Sequence, residues 1–229
     1  MGIAERRIRE KRNRRKFILK AAVRVYFNEG YHAATVEKIA QEAEVSRATV
    51  YLYFKTRDEI FVHAAVEFMY YLGDLLEELA RTYRHGQGNL LEELFGVFHE
   101  FYRQDPPAFG LSLYLFQREM VRSLPEELRL LLDKAGSRNF RGLTSIASIG
   151  LEEGYFKPAN SRTLAEMLFS AFLGIVHLEN SKTAMGRKTH LDVTADLALQ
   201  ALREGVINPD YVTETCKPDH KPAAREKKS

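Results

Sequence analysis

The sequence predicts an all-α protein of about nine helices. Two observations carry that prediction. Apolar residues recur at helical spacing in almost every segment with no sustained alternation, and Gly, Pro and capping residues fall between the periodic stretches. A third observation bounds the class: 45% of residues are hydrophobic, yet no uncharged apolar run reaches about 18 residues. The chain is therefore expected to be globular, without a membrane partner.

Ile18, Ala21, Ala22 and Val25 mark one face of a first helix, which Gly30 is placed to end in a left-handed conformation. Thr35 is an N-cap for a second helix over 36–43, whose stripe is Val36, Ile39, Ala40 and Ala43. Ser46 caps a third over 46–53, too short to stand alone as a core helix. Thr56 and Glu59 have capping-box spacing and open a fourth helix to about Arg84. After the loop "RHGQGN", helices are expected over 90–103 and 107–122, parted by Pro106 and Pro107. Ser123, Pro125 and Glu126 signal a long helix ending near Gly154, with Gly136 and Gly142 as potential kinks. Two more follow over 161–182 and 191–203, with Gly205 as a stop. From 209 to 229 the chain is rich in Pro and Lys, shows no apolar period, and is expected to be disordered.

Charge is unevenly spread. Residues 1–63 hold 14 Lys and Arg against 8 Asp and Glu, whereas residues 64–216 hold 15 against 21. A basic head on an acidic body points the head at a polyanion. Residues 1–16, with eight basic side chains and two Glu, either extend the first helix or form a flexible arm on nucleic acid. They have no apolar core and so are no signal peptide, which makes the cytoplasm the expected location. Cys216 is the one cysteine, which excludes an internal disulfide or a cysteine zinc site. The seven histidines lack metal-ligand spacing, so no metal and no cofactor are expected.

Two short helices joined by a tight turn form a helix-turn-helix, with the second as recognition helix. Val36, Ile39, Ala40, Val45, Val50 and Phe54 close its small core, leaving Thr35, Ser46, Arg47, Thr49, Tyr51, Tyr53, Lys55 and Arg57 outward. Hydroxyls and basic groups in that arrangement suit DNA phosphates. Arg47 has the fork to take guanine O6 and N7, and Thr49 a methyl to meet thymine, with Ala48 beside them.

From Phe17 to Phe61 the sequence resembles the N-terminal domain of the tetracycline-repressor (TetR) family. The resemblance rests on Gly30-Tyr31, Thr35, Ile39-Ala40, Val45-Ser46, Thr49, Tyr51 and Tyr53-Phe54-Lys55 in "GYHAATVEKIAQEAEVSRATVYLYFK", followed by the capped fourth helix. It implies that Thr35, Tyr51, Tyr53 and Lys55 hold phosphates, that the start of helix three reads bases, and that helix four links DNA to a ligand pocket. Two residues depart from the family pattern. Glu44 stands where a glycine is usual in the turn, and Leu52 where a polar or basic residue is common.

The division expected is a basic arm (1–16), a three-helix DNA-binding domain (17–63), a larger helical ligand-binding and dimerisation domain (64–208) and a polar tail (209–229). Sixteen of the 25 Phe and Tyr lie between 64 and 180; they are either core or the walls of an apolar pocket. The candidates to line one are Phe68, Tyr71, Phe95, Phe98, Tyr102, Tyr114, Phe140 and Phe172, with His99, Gln117 and His177 to orient a ligand's polar end. The last two long helices offer Leu168, Ala171, Phe172 and Ile175, and Leu191, Ala195, Ala198, Leu199 and Leu202, as a homodimer face. Intramolecular packing would leave the same pattern, and the resemblance tips the reading to a dimer.

The function expected is a ligand-controlled transcriptional regulator, a repressor of a palindromic double-stranded DNA operator released by a small apolar or amphipathic effector. A protein of the same fold that recruits a protein partner on DNA, with no small ligand, is the competing reading. No nucleophile elbow, phosphate loop or paired-carboxylate arrangement suggests an enzyme.

Overall fold

The computed structural model describes residues 2–86 and 89–211. Those residues form ten α-helices: α1 (Ile3–Glu29), α2 (Val36–Glu42), α3 (Arg47–Tyr51), α4 (Arg57–Thr82), α5 (Leu90–Gln104), α6 (Pro106–Leu115), α7 (Arg118–Ser123), α8 (Glu126–Glu152), α9 (Ser161–Ala184) and α10 (Leu191–Val206). The fold is all-α, and the one β feature among the described residues is an isolated antiparallel bridge between Phe156 and Ile207. Most of the tail, with Cys216, lies outside them. No described helix is long and apolar enough to cross a membrane.

Side-chain caps set the starts of the small helices. Thr35 Oγ1 accepts from Lys38 N–H at 3.3 Å, Ser46 Oγ from Thr49 N–H at 3.0 Å and Thr56 Oγ1 from Glu59 N–H at 3.1 Å. Each satisfies a donor that the first helical turn leaves open. The capping box at α4 is displaced by one residue, because the Glu59 carboxylate accepts from Lys55 N–H at 2.6 Å. Gly30 ends α1 at φ +80° and donates its N–H to Tyr26 O at 2.8 Å. The basic segment is helical, the first of its two readings. Arg15 ties it down by pairing with Glu67 and lying 5.1 Å over the Phe54 ring.

Three expectations need correction. The stretch 107–122 is two helices, since the apolar run ending at Leu115 sits inside the bundle whereas α7 buries no residue, and the chain turns at Gln117. Ser123 does not cap α8, for its hydroxyl donates to Met120 O at 2.8 Å and Pro125 occupies the cap position. Gly136 and Gly142 lie within a continuous α8, and Gly142 lets Leu76 in close, a Cβ there falling 3.1 Å from Leu76 Cβ. Gly205 does not stop α10, which runs on to Val206 and ends where the following chain pairs with the α8–α9 connection through Lys157 N–H to Val206 O and Asn208 N–H to Tyr155 O, both 2.8 Å.

α4 is the spine. It buries residues on all sides, among them Ile60, Phe61, Ala65, Leu72 and Leu76, and packs against α1, α5, α6 and α8. Arg138 of α8 crosses it at Gly73, donating from Nη1 to Tyr70 O at 3.0 Å and from Nη2 to Asp74 at 2.8 Å. α4 follows α3 in the chain and continues into the body.

Glu44 takes φ +52°, the one positive φ at a non-glycine among the described residues. Left-handed backbone costs a side-chain-bearing residue roughly 1–2 kcal/mol. Glu44→Gly is expected to raise stability by about 1 kcal/mol, the relief exceeding glycine's entropy cost. A urea titration checks this; a fall in midpoint would mean the Glu44 side chain makes a compensating contact.

Candidate nucleic-acid interface and apolar cavity

The turn at Glu44 sets α3 against α2 so that Val50 (fully buried) and Phe54 face Ile39 inside, while Ser46, Arg47, Ala48 and Tyr51 are exposed and Thr49 is half-buried. Arg47 is held in place: it pairs with Glu37 of α2 at 2.7 Å, donates to Tyr51 Oη at 3.3 Å and lies 5.4 Å over the Tyr51 ring. Glu37 is kept below the ordinary carboxylate range by its own backbone N–H, by Thr35 and by Arg47, so the pair stays ionised. Thr35, Glu37, Arg47 and Tyr51 thus make one connected surface cluster. Lys55 is exposed and Tyr53 half-buried at the far end of the motif.

Arg57 departs from the outward reading. Its guanidinium donates to Tyr31 O at 3.2 Å, pairs with Asp58 at 3.1 Å and lies 4.7 Å over the Tyr31 ring. Tyr31 Oη in turn donates to Asp58 at 2.9 Å, and burial with that carboxylate holds its phenol protonated. Arg57 is committed to fixing α4 against the α1–α2 turn. Leu52 is 78% exposed.

In the body, an apolar cavity of about 190 Å³ lies among five helices. α4 supplies Met69 and Leu72, α5 Phe101, α6 Phe109, Ser112 and Leu113 with Phe116 at its end, α8 Gly136, Asn139 and Phe140, and α9 Phe169 and Leu173. Of the residues expected to line a pocket, Phe140 alone does so here. Phe95, Phe98 and Phe172 are 2%, 0% and 0% exposed and pack as core, since a ring on the inward stripe of a bundle helix meets other rings before it meets a void. Phe68 and Tyr71 line a separate groove with α1, and Tyr102 and Tyr114 an open cleft of about 820 Å³ beside the end of α1. His99 rests against Phe172 and is shifted down by burial and by Arg103, which favours its neutral form. Gln117 and His177 are exposed and reach no cavity. The polar residues in its lining are Ser112 and Asn139, the latter missed despite standing in the inward stripe Leu132, Ala135, Asn139, Leu143 and Ile146.

The face of α9 and α10 also needs correction. Leu168, Phe172 and Ala195 are wholly buried within the chain, and Leu191, Leu199 and Leu202 pack partly on its core. Ala171, Ile175 and Ala198 are half-buried. The apolar residues left outside are Met167 (40% exposed), Leu178 (52%), Val193 (70%) and Leu197 (66%), with Gly174 between the first two.

Residues 18–64 match the profile described as bacterial regulatory proteins, tetR family. The match to the TetR family covers the helix-turn-helix domain. The fatty acid metabolism regulator protein of Bacillus subtilis is 38% identical to this chain over 71 residues, which is 31% of this chain and 37% of that protein. Among solved structures, the FadR regulator of Bacillus subtilis in complex with stearoyl-CoA is similar in fold, with a TM-score of 0.62, 24% identity and coverage of 83% of this chain and 98% of that one. The SmeT–triclosan complex gives a TM-score of 0.68 at 20% identity over 92% of this chain and 99% of that one. SmeT is the repressor of a Stenotrophomonas maltophilia multidrug efflux pump.

Proposed function

We propose that this chain is a homodimeric repressor that binds a palindromic operator through α3 and leaves it when a small apolar or amphipathic molecule occupies the body. The observation that carries the reading is the position of the cavity. Its walls include α4 and α6, and both helices also pack on α1 of the helix-turn-helix. Tyr114 of α6 is hydrogen-bonded to His32 Nε2 at 3.1 Å and its ring lies 4.9 Å from that of Tyr31. A ligand that spreads α6 from α4 therefore pulls on the α1–α2 turn and on Arg57, and changes the separation of two recognition helices. Ligand leverage equals its differential affinity for the two arrangements. That one neighbour in fold binds stearoyl-CoA and another triclosan supports an apolar effector class. The exposed apolar stripes of α9 and α10 support a second copy of the chain as partner.

Selection of bound fragments from a random DNA pool at physiological salt tests this. A palindrome with half-sites one helical turn apart, about 34 Å, is expected. Arg47→Ala should weaken binding to the selected site by about 1–3 kcal/mol and relax preference at one base pair per half-site. Enrichment of nothing, or a variant that loses affinity uniformly for all sequences, would remove Arg47 from the reading role and leave the fold with another use.

A further inference from the structure

Glu37, in the first turn of α2, puts an acidic side chain among the residues expected to meet a polyanion, and is not itself one of them. Its carboxylate accepts from its own backbone N–H and from the Thr35 hydroxyl, and it holds Arg47 Nη1 at 2.7 Å. The other terminal nitrogen of that guanidinium, Nη2, donates to Tyr51 Oη at 3.3 Å, and the group lies 5.4 Å over the Tyr51 ring. Two helices therefore grip one arginine. Both members of the ion pair are more than half exposed, Arg47 at 59% and Glu37 at 55%, and such a pair adds little to folding stability. What it fixes is where the guanidinium sits.

We infer that Glu37 determines specificity by acting through Arg47: it holds the guanidinium off the phosphate backbone while leaving it able to bind a base edge. The inference rests on the DNA-reading role proposed above for α3 and deepens it. Arginine carries five N–H donors in a rigid plane. Glu37 and Tyr51 engage one each, so three remain, and guanine O6 and N7 need two. A neutral base edge tolerates a carboxylate elsewhere on the same guanidinium. A phosphate does not, because its charge and that of Glu37 then meet across one shared cation. An exposed arginine on a long flexible stem, left unrestrained, goes to phosphate, which every sequence offers. Glu37 thus lowers affinity for DNA at large more than affinity for the site, and specificity is the difference between the two.

Glu37→Gln keeps the shape and removes the charge, and at an exposed position it should leave the fold intact. Anisotropy titrations of the full chain with the fragment selected above and with a duplex of random sequence, each over a range of salt concentrations, test the inference. On random duplex the plot of log affinity against log salt should steepen by about one per subunit, the mark of a new phosphate contact, and affinity at about 0.15 M salt should rise about fivefold per subunit. Preference for the selected fragment should fall by the same factor or more. In an Arg47→Ala background the same substitution should alter neither slope nor preference, since the group it acts through is gone. An unchanged slope on random duplex overturns the inference, because Arg47 was then not restrained. An equal rise in affinity with and without Arg47 also overturns it, because Glu37 then repels DNA directly. The two readings fail separately. If a palindrome is selected and Glu37→Gln leaves slope and preference as they were, the operator reading stands and this inference falls; if no fragment is selected, the operator reading falls, and the slope on random duplex still decides whether Glu37 restrains Arg47.

Discussion

Phe172→Ala is expected to lower folding stability by about 3–5 kcal/mol, a large part of what a single domain has to spare. The ring is fully buried, 5.3 Å from the centroid of Phe98, 5.5 Å from His99 and 6.4 Å from Phe109. Truncation removes its transfer free energy and leaves a void that four-sided packing cannot close. Urea unfolding followed by far-ultraviolet circular dichroism measures the loss. Phe172 was also an expected interface residue, and the same experiment separates the two roles: a core residue shifts the midpoint at every protein concentration, whereas an interface residue shifts it in a concentration-dependent way. A variant of unchanged stability that has become monomeric would put Phe172 back on the surface.

The double substitution Val193→Asp and Leu197→Asp should do the opposite. Both side chains are about two-thirds exposed in the single chain (70% and 66%), so their replacement is expected to change the stability of the subunit by no more than about 0.5 kcal/mol. In a dimer packed on α9 and α10 each would bury an unpaired carboxylate, weakening association by about 2 kcal/mol or more per site, roughly thirtyfold. Sedimentation over a range of concentrations reads this directly. Affinity for a palindromic fragment should fall with it, because two half-sites would then be filled by separate monomers. Unaltered self-association would exclude this face and direct attention to other exposed apolar side chains, such as Leu130.

What could be read from the chain alone was whatever is decided over a few residues. The caps at Thr35, Ser46 and Thr56 and the stop at Gly30 depend on hydroxyls and on a missing Cβ within one turn, so the helix-turn-helix is legible in the sequence. Even the strained Glu44 was visible as a wrong residue in a tight turn. The break at Gln117 was not, because nothing local forbids a helix there. It follows from how far the apolar run of α6 can reach inside the bundle.

Which of two apolar faces turns inward is a different kind of question. α9 carries Leu168 and Phe172 on one side and Met167 and Leu178 on the other, and α10 carries Ala195 opposite Val193 and Leu197. Periodicity marks both stripes equally. Only the placement of α5 and α8 says which stripe meets the core. The cavity is further still from the sequence, since Leu72, Phe101, Phe109, Asn139 and Phe169 come from five helices and have no common spacing. A void is a shortfall of packing among elements, and no residue encodes a shortfall by itself. The sequence determined the helices, their caps and the DNA-facing motif through local backbone and side-chain chemistry. Tertiary packing decided the inner face, the outer face and the cavity, because those depend on which surfaces meet.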